Sequence, residues 1–343
     1  MKAAVFHDPG RIEVCGDVSE PRPGPGEVLV AVRACGICGS DLHLYRTNAH
    51  RTGGGLLRID SDGREIPGHE YAGVITQLGQ GVDGWRVGQR VVGVTGGGGF
   101  SERVPVPVNP FQIARIPDGL GFEEAATTEP LADGLQMVRK AQPKAGDNVV
   151  VYGVGIIGLG VIQALRARCP HVGHIVAVDV SAARLAMARE VGASDTIDPL
   201  SEDVIDATAR ICGRAPWAFP PMEPPDVGVV FDCAGYLKHM KGPPPLQQAL
   251  RLLRPRGGRI VCFGAYEEAV SLELMDVIYK EAQIFGSMGY AAGELEEALA
   301  LMASGAANRT KLISHRFPLD EISKAFEMQG SGQAIKVMVL PKA

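Results

Sequence analysis

The sequence predicts an α/β chain made of a doubly wound parallel sheet and a β-rich part. Three observations carry this: strands and helices alternate between about residues 144 and 287, glycines cluster at the first strand–helix junction of that stretch, and the preceding portion is rich in Gly, Pro and short β-branched runs. At 343 residues the chain is too long for one ordinary core and fits two domains. The expected division is 1–143, 144–287, and a return of 288–343 to the first part.

In chain order, Glu27 to Arg33 alternates as a strand does after the turn-forming residues Pro21–Gly26. Tyr71–Gly79 and Arg90–Val94 read the same way, which makes this part β-rich and barrel-like. The rhythm changes near Gln142–Gly146. Asn148–Gly153 then reads as a strand, Ile157–Arg168 as a helix, His174–Asp179 as a strand, and Ala182–Val191 as a helix with Ser181 as its N-cap. Buried strands are expected at Val227–Asp232, Arg259–Phe263 and Ala282–Gly286. A helix over Glu294–Met302 and a strand over Ile335–Leu340 are too little for a domain and are expected to pack on the first part. Thr52–Gly63 and Ala215–Pro225 read as loops or insertions.

Composition narrows the function classes. A hydrophobic fraction of 45% with 21% charged residues is that of a soluble globular protein. A net charge of −5 with no basic cluster argues against nucleic acid as the main partner. The longest apolar run, Val149–Leu165, is broken by Gly153, Gly155, Gly158 and Gly160, so a strand, turn and helix explain it better than a membrane span. The first residues lack an apolar segment of signal-peptide length, and seven scattered cysteines read as reduced thiols, so a cytoplasmic protein is expected. Cys35, Cys233 and Cys262 read as core thiols.

Gly153-Val-Gly155-Ile-Ile157-Gly158 matches G-x-G-x-x-G, after a strand and opening a helix. That context calls for a dinucleotide: the chain turns sharply, approaches a pyrophosphate, and presents helix N–H groups to it. Asp179 ends the next strand about twenty residues on, where a carboxylate accepts hydrogen bonds from ribose hydroxyls and repels a 2′-phosphate; NAD is therefore expected over NADP. Ile157 and Arg184 complete the cofactor-binding candidates.

In the β-rich part, Gly36-Ile-Cys38-Gly-Ser40-Asp41-Leu-His43 is followed by Gly68-His69-Glu70. Thiolate, imidazole and carboxylate together suit Zn²⁺, and three protein ligands with one open position are the pattern of a catalytic site. His69 and Glu70 are neighbours and would face opposite ways on a regular strand, so both can ligate only at an irregular strand start, which Pro67-Gly68 allows.

These motifs, in this order, resemble the medium-chain zinc dehydrogenases of the alcohol and polyol type, including sorbitol, threonine and secondary-alcohol enzymes. Val87–Val91, Gly99–Glu102 and Glu129-Pro130-Leu131 match further landmarks, so the resemblance covers essentially the whole chain. It implies a GroES-like catalytic domain with a Rossmann domain for NAD. Cys38 and His69 are then zinc ligands, Glu70 a ligand or one that swings in during turnover, and Glu129 stands at the variable remaining position. Ser40 takes the hydroxyl proton of the alcohol and His43 passes it on. The implied reaction is hydride transfer between an alcohol (polyol, sugar or secondary alcohol) and NAD, in a homodimer or homotetramer.

The chain departs from many relatives at Thr95-Gly-Gly-Gly-Gly-Phe100, where a cysteine lobe for a structural zinc would fall, so one zinc is expected. The segment between His43 and His69, with Arg46, His50, Arg51, Arg58, Asp60 and Asp62, looks long for the family; it reads as a specificity element, a surface excursion or a subunit contact. Two rival readings are a zinc-free quinone or enone reductase and a non-catalytic NAD-binding protein.

Overall fold

The computed structural model describes residues 1–49, 51, 55–218, 221–237, 240 and 242–341. The chain divides into two compact units, Met1–Glu129 with Ala291–Ala343, and Pro130–Tyr290. The helix Thr128–Ala141 runs across the first crossing, ahead of the change of rhythm that the sequence shows near residue 143.

The first unit is built on a seven-stranded sheet, in the order Ile313–Pro318, Lys336–Leu340, Glu27–Gly36, Glu70–Leu78, Arg90–Gly93 and Ile113–Arg115, with Arg103–Pro107 also pairing with Glu27–Gly36. Glu27–Gly36 is the hub, so its apolar residues have neighbours on both sides and seven of its ten residues are buried. Backbone proximity dictates Gly73 opposite it: a Cβ there would lie 2.2 Å from the Ala31 carbonyl. The C-terminal return supplies Ile322, Phe326, Val337 and Val339 to the same core as Val30, Ile75 and Val104. Phe326 meets Phe100 edge-on at 5.6 Å between ring centroids.

The return holds more than the sequence suggested. The strand Ile313–Pro318 and the helix Ile322–Gly330 accompany the expected helix and last strand. Thr52–Gly63 is likewise not all loop: Arg58–Ile59 pairs with Glu65–Ile66 in a four-stranded sheet with the N-terminal hairpin Ala3–Asp8 and Arg11–Cys15. Residues 55–58 lie against the glycine run, where a Cβ on Gly97 would stand 2.4 Å from the Arg58 nitrogen and one on Gly96 2.4 Å from the Gly55 oxygen. His50 lies outside the described residues.

The second unit is a six-stranded, wholly parallel sheet in the order Asp195–Ile197, Ile175–Val178, Val149–Tyr152, Val229–Asp232, Arg259–Cys262 and Gln283–Gly286. Order reverses between Val149–Tyr152 and Val229–Asp232, the switch point at which open α/β sheets bind ligands beyond the strand C-termini. One expectation is corrected. Gln283–Gly286 is not buried but is an edge strand paired on one side, and Ile284 is 41% exposed. Ala215–Pro225 forms a small hairpin, Trp217–Ala218 with Pro221–Met222, and the Arg256 guanidinium lies 4.4 Å from the Trp217 ring centre. Phe219 lies outside the described residues. Among the described residues no helix is long and apolar enough to cross a membrane.

Candidate metal and cofactor sites

Cys38 is the N-cap of the helix Gly39–Thr47, immediately after the hub strand. Its backbone N–H donates to Asp41 Oδ2 at 3.0 Å, so the first helical turn is closed by a side chain. Asp41 is fully buried, and its other oxygen faces His69 Nδ1 at 3.6 Å. Ser40 and His43 lie on the same helix, three residues apart. The Ser40 hydroxyl is buried without a hydrogen-bond partner, and His43 is half-buried.

The irregular strand start expected at Pro67-Gly68 is present. Gly68 has φ +94°, and a Cβ on it would lie 2.7 Å from the Phe100 nitrogen. Gly99 N–H donates to Gly68 O at 2.8 Å and Phe100 N–H to Pro67 O at 3.1 Å, which fixes the bend from outside. Glu70 is the first residue of the strand and His69 lies just before it, so the pleat does not yet separate them. One donor atom from each of Cys38, His69 and Glu70 lies within 4.8 Å of the others, the one such group of metal-ligating side chains found among the described residues.

The electrostatics are those of a dry, crowded site. Burial pushes the Cys38 thiol up, aided by the Glu70 carboxylate. Burial pulls His69 down, but Asp41 and Cys38 outweigh it and leave the imidazole well above its ordinary value. Glu129, at the start of Thr128–Ala141, is outside the converging group; burial, and then Glu70, push its carboxyl up to about 7. Glu70 Oε1, His69 Nδ1 and Glu129 Oε2 are buried without hydrogen-bond partners. Two buried cations that sequence reasoning did not single out stand here. Lys336 pairs with Glu70, and Arg309 donates to Thr127 Oγ1 at 3.3 Å. A lone Lys in the apolar run Ala334–Leu340 was the available signal for the first.

In the second unit the three motif glycines have three different reasons. Gly153 turns at φ +77°, and a Cβ there would meet Ala234 N at 2.8 Å across the switch point. Gly158 packs its helix on the strand, with only 2.1 Å from a would-be Cβ to Gly153 O. Gly155 caps the helix Ile156–Arg168 at ordinary φ, and a Cβ there would meet nothing within 4 Å. It borders open space at a helix N-terminus, where a side chain would stand in the way of an anion approaching the N–H groups. Asp179 ties this turn to the next strand: Oδ2 accepts from Val154 N–H and Oδ1 from Ser181 N–H, each at 2.9 Å. Each carboxylate oxygen keeps a further lone pair for a ligand hydroxyl. Ile157 lies in the first turn of the helix, and Arg184 donates its backbone N–H to the Ser181 cap at 3.4 Å. The seven cysteines are free thiols; Cys35 is fully buried, whereas Cys233 and Cys262 are partly buried at strand ends.

Comparison with known proteins places the chain in a family. The alcohol dehydrogenase GroES-like domain matches residues 24–118, and the zinc-binding dehydrogenase domain matches residues 157–304. The chain is 32% identical to (R,R)-butanediol dehydrogenase of Bacillus subtilis (strain 168), over 98% of this chain and 96% of that protein. The crystal structure of 2R,3R-butanediol dehydrogenase from Bacillus subtilis superposes with a TM-score of 0.81 at 30% identity, over 99% of each chain. A putative zinc-binding dehydrogenase from Sinorhizobium meliloti 1021, solved bound to NADP, gives a TM-score of 0.80 at 30% identity over 99% of each chain. A protein from E. coli CFT073 described as a short chain alcohol dehydrogenase, solved with NADH, gives 0.81 at 27% identity, again over 99% of each. The chain belongs to the medium-chain, zinc-type alcohol and polyol dehydrogenase family, with a GroES-like domain and a Rossmann-type parallel sheet. It is an alcohol oxidoreductase.

Proposed function

We propose that the chain transfers hydride between a small polyol or secondary alcohol and NAD, using one zinc ion held by Cys38, His69 and Glu70. The convergence of these three donors carries the reading. They fit zinc by chemistry, and Glu70 Oε1 is a buried atom with unmet hydrogen-bonding capacity, which native interiors seldom leave. Three protein ligands leave one position for substrate; Glu129, outside the converging set, is left out of it. Bound zinc supplies Lewis acidity toward the substrate oxygen, and NAD supplies the hydride acceptor.

The chain's own residues do the rest. Asp41 holds the Cys38 backbone and faces His69, so both ligands are oriented by one carboxylate. Ser40 Oγ, with no competing partner, receives the alcohol proton, and His43 passes it toward solvent. Gly155 leaves the helix N-terminus open to the pyrophosphate. Asp179, held by two backbone N–H groups, favours ribose hydroxyls over a 2′-phosphate. We also read the chain as a homo-oligomer, because the edge strand Gln283–Gly286 is preceded in the chain by the helix Leu274–Lys280, whose Leu274 and Ile278 are each 63% exposed. Ile278→Glu then shifts the sedimentation coefficient toward the monomer; an unchanged coefficient excludes this edge.

The central test is zinc per chain by elemental analysis on wild type and Cys38→Ala, with NAD⁺ and NADP⁺ reduction on a panel of polyols and secondary alcohols. About one zinc in wild type, lost together with alcohol turnover in the variant, is the expected result. A metal-free wild type that reduces quinones or enones makes the protein a zinc-free reductase instead. Zinc without turnover on any alcohol makes it a non-catalytic NAD-binding protein.

A further inference from the structure

The carboxylate of Glu70 is divided. Its Oε2 accepts a charge-assisted hydrogen bond from Lys336 Nζ, while its Oε1 is buried and has no partner. The same ammonium donates to Ile37 O at 3.0 Å, one residue before Cys38. Neither side chain of the pair has any exposure. The site is built around this pair: Gly36 stands opposite Glu70 in the sheet register, and a Cβ on it would lie 2.4 Å from Lys336 Cε and 3.0 Å from Glu70 Oε2. Lys336 reaches this point because it opens the strand Lys336–Leu340, which pairs with the hub strand beside Gly36.

We infer that Lys336 is a positioning residue of the metal site: it keeps one oxygen of Glu70 for itself, so a metal ion competes with it for that carboxylate and is held less tightly than the donor set alone would hold it. The inference rests on the proposed zinc site. The physical reason is twofold. A buried carboxylate with no counter-charge is costly, and Lys336 offsets that cost when no metal is present. When a dication is present, the ammonium is a like charge at close range in a low-dielectric interior and opposes it. Lys336 therefore stabilises the metal-free protein and weakens the metal-bound one, and binding and stability change together by linkage.

The test compares full-length wild type, Lys336→Met and Lys336→Arg, each purified with zinc, for the rate of zinc transfer to a chelator and for the melting temperature with and without zinc. Met has similar length and no charge, so zinc loss is expected to slow by about tenfold or more, and zinc is expected to raise its melting temperature further than that of wild type. Arg carries a fork able to hold both carboxylate oxygens, so zinc loss is expected to speed up by about tenfold or more. A purely structural lysine would move both variants the same way. Loss rates within twofold of wild type, faster loss from both variants, or failure of the Met variant to fold with zinc present each overturn the inference. Wild type containing no zinc overturns the metal site itself, a result distinguishable from all of these.

Discussion

The two candidate sites are made in opposite ways. In the first unit, chemistry comes from side chains: Cys38, His69 and Glu70 converge, Asp41 and Lys336 hold them, and all but the half-buried Cys38 are withdrawn from water. In the second unit the site is made of side chains that are absent. Gly153, Gly155 and Gly158 give the turn, the approach and the helix contact, and Asp179 adds one charge pinned by backbone. The first site is therefore broken by taking atoms away and the second by adding them. A buried polar cluster tolerates no missing partner, whereas a backbone cradle tolerates no extra methyl.

The largest effect is expected from Cys38→Ala. Replacing an outer-shell partner of a metal typically costs about 10–100-fold, and loss of a ligand exceeds this. Alcohol turnover is expected to fall by more than about 10²-fold while binding of NADH, followed by fluorescence, is retained. Loss of cofactor binding as well would mean that the two sites do not fail separately.

The glycine pair sharpens the second half of the contrast. Gly158→Ala places a methyl against Gly153 O at 2.1 Å, and overpacking of this kind costs about 1–3 kcal/mol, readable in denaturant melts. Gly155→Ala meets nothing within 4 Å at φ −70°, so its stability cost stays below about 1 kcal/mol. Its KM for NAD⁺ is nonetheless expected to rise by about tenfold, since about 1.4 kcal/mol of lost phosphate contact is tenfold in affinity. An unchanged KM would remove Gly155 from the cofactor site.

Asp179→Asn should act on selectivity more than on rate. It keeps an acceptor oxygen for Val154 N–H, gives up the bond from Ser181 N–H, and removes the charge. The preference for NAD⁺ over NADP⁺ in kcat/KM is expected to shrink by about tenfold, a change of about 1.4 kcal/mol. A preference that holds at full strength would assign cofactor choice to other residues.

The smallest effect separates the two buried lysines. Lys336 faces a carboxylate, whereas Lys280 donates to the carbonyls of Leu250 and Arg251, each at 2.7 Å, and burial lowers its pKa to about 8. Between about 8 and the ordinary lysine value the unfolded chain binds more protons than the folded one, so this residue's contribution to stability rises with pH across that window. Lys280→Met should abolish that rise, measured as the difference in melting temperature between wild type and variant at pH 7 and pH 10. A constant difference would show that Lys280 does not titrate in the fold.

Much of this was legible in sequence, for reasons that differ by residue. The glycine turn, Asp179 and the strands around them are local patterns, and their geometry follows from spacing alone. Cys38, His69 and Glu70 were legible as motifs, and Pro67-Gly68 gave the reason that the last two can face one point. Lys336 was not, because the register of a strand begun 266 residues after Glu70 decides what it touches. The strand Ile313–Pro318 escaped because its alternate residues are polar or exposed, a pattern that loops share. Gln283–Gly286 read as buried because its apolar composition does not reveal that it is the last strand of its sheet.

The placement of Lys336 also sets an order of events during synthesis. Cys38, His69 and Glu70 leave the ribosome early, and then the whole second unit, Pro130–Tyr290, is made before residue 336 appears. At roughly 5–20 residues per second, the 266 residues from Glu70 to Lys336 occupy roughly 10–50 s. Throughout that interval the nascent chain carries the three proposed metal ligands without the ammonium that restrains one of them. Zinc captured then would meet an unopposed carboxylate, and the closing strand would loosen a grip already made.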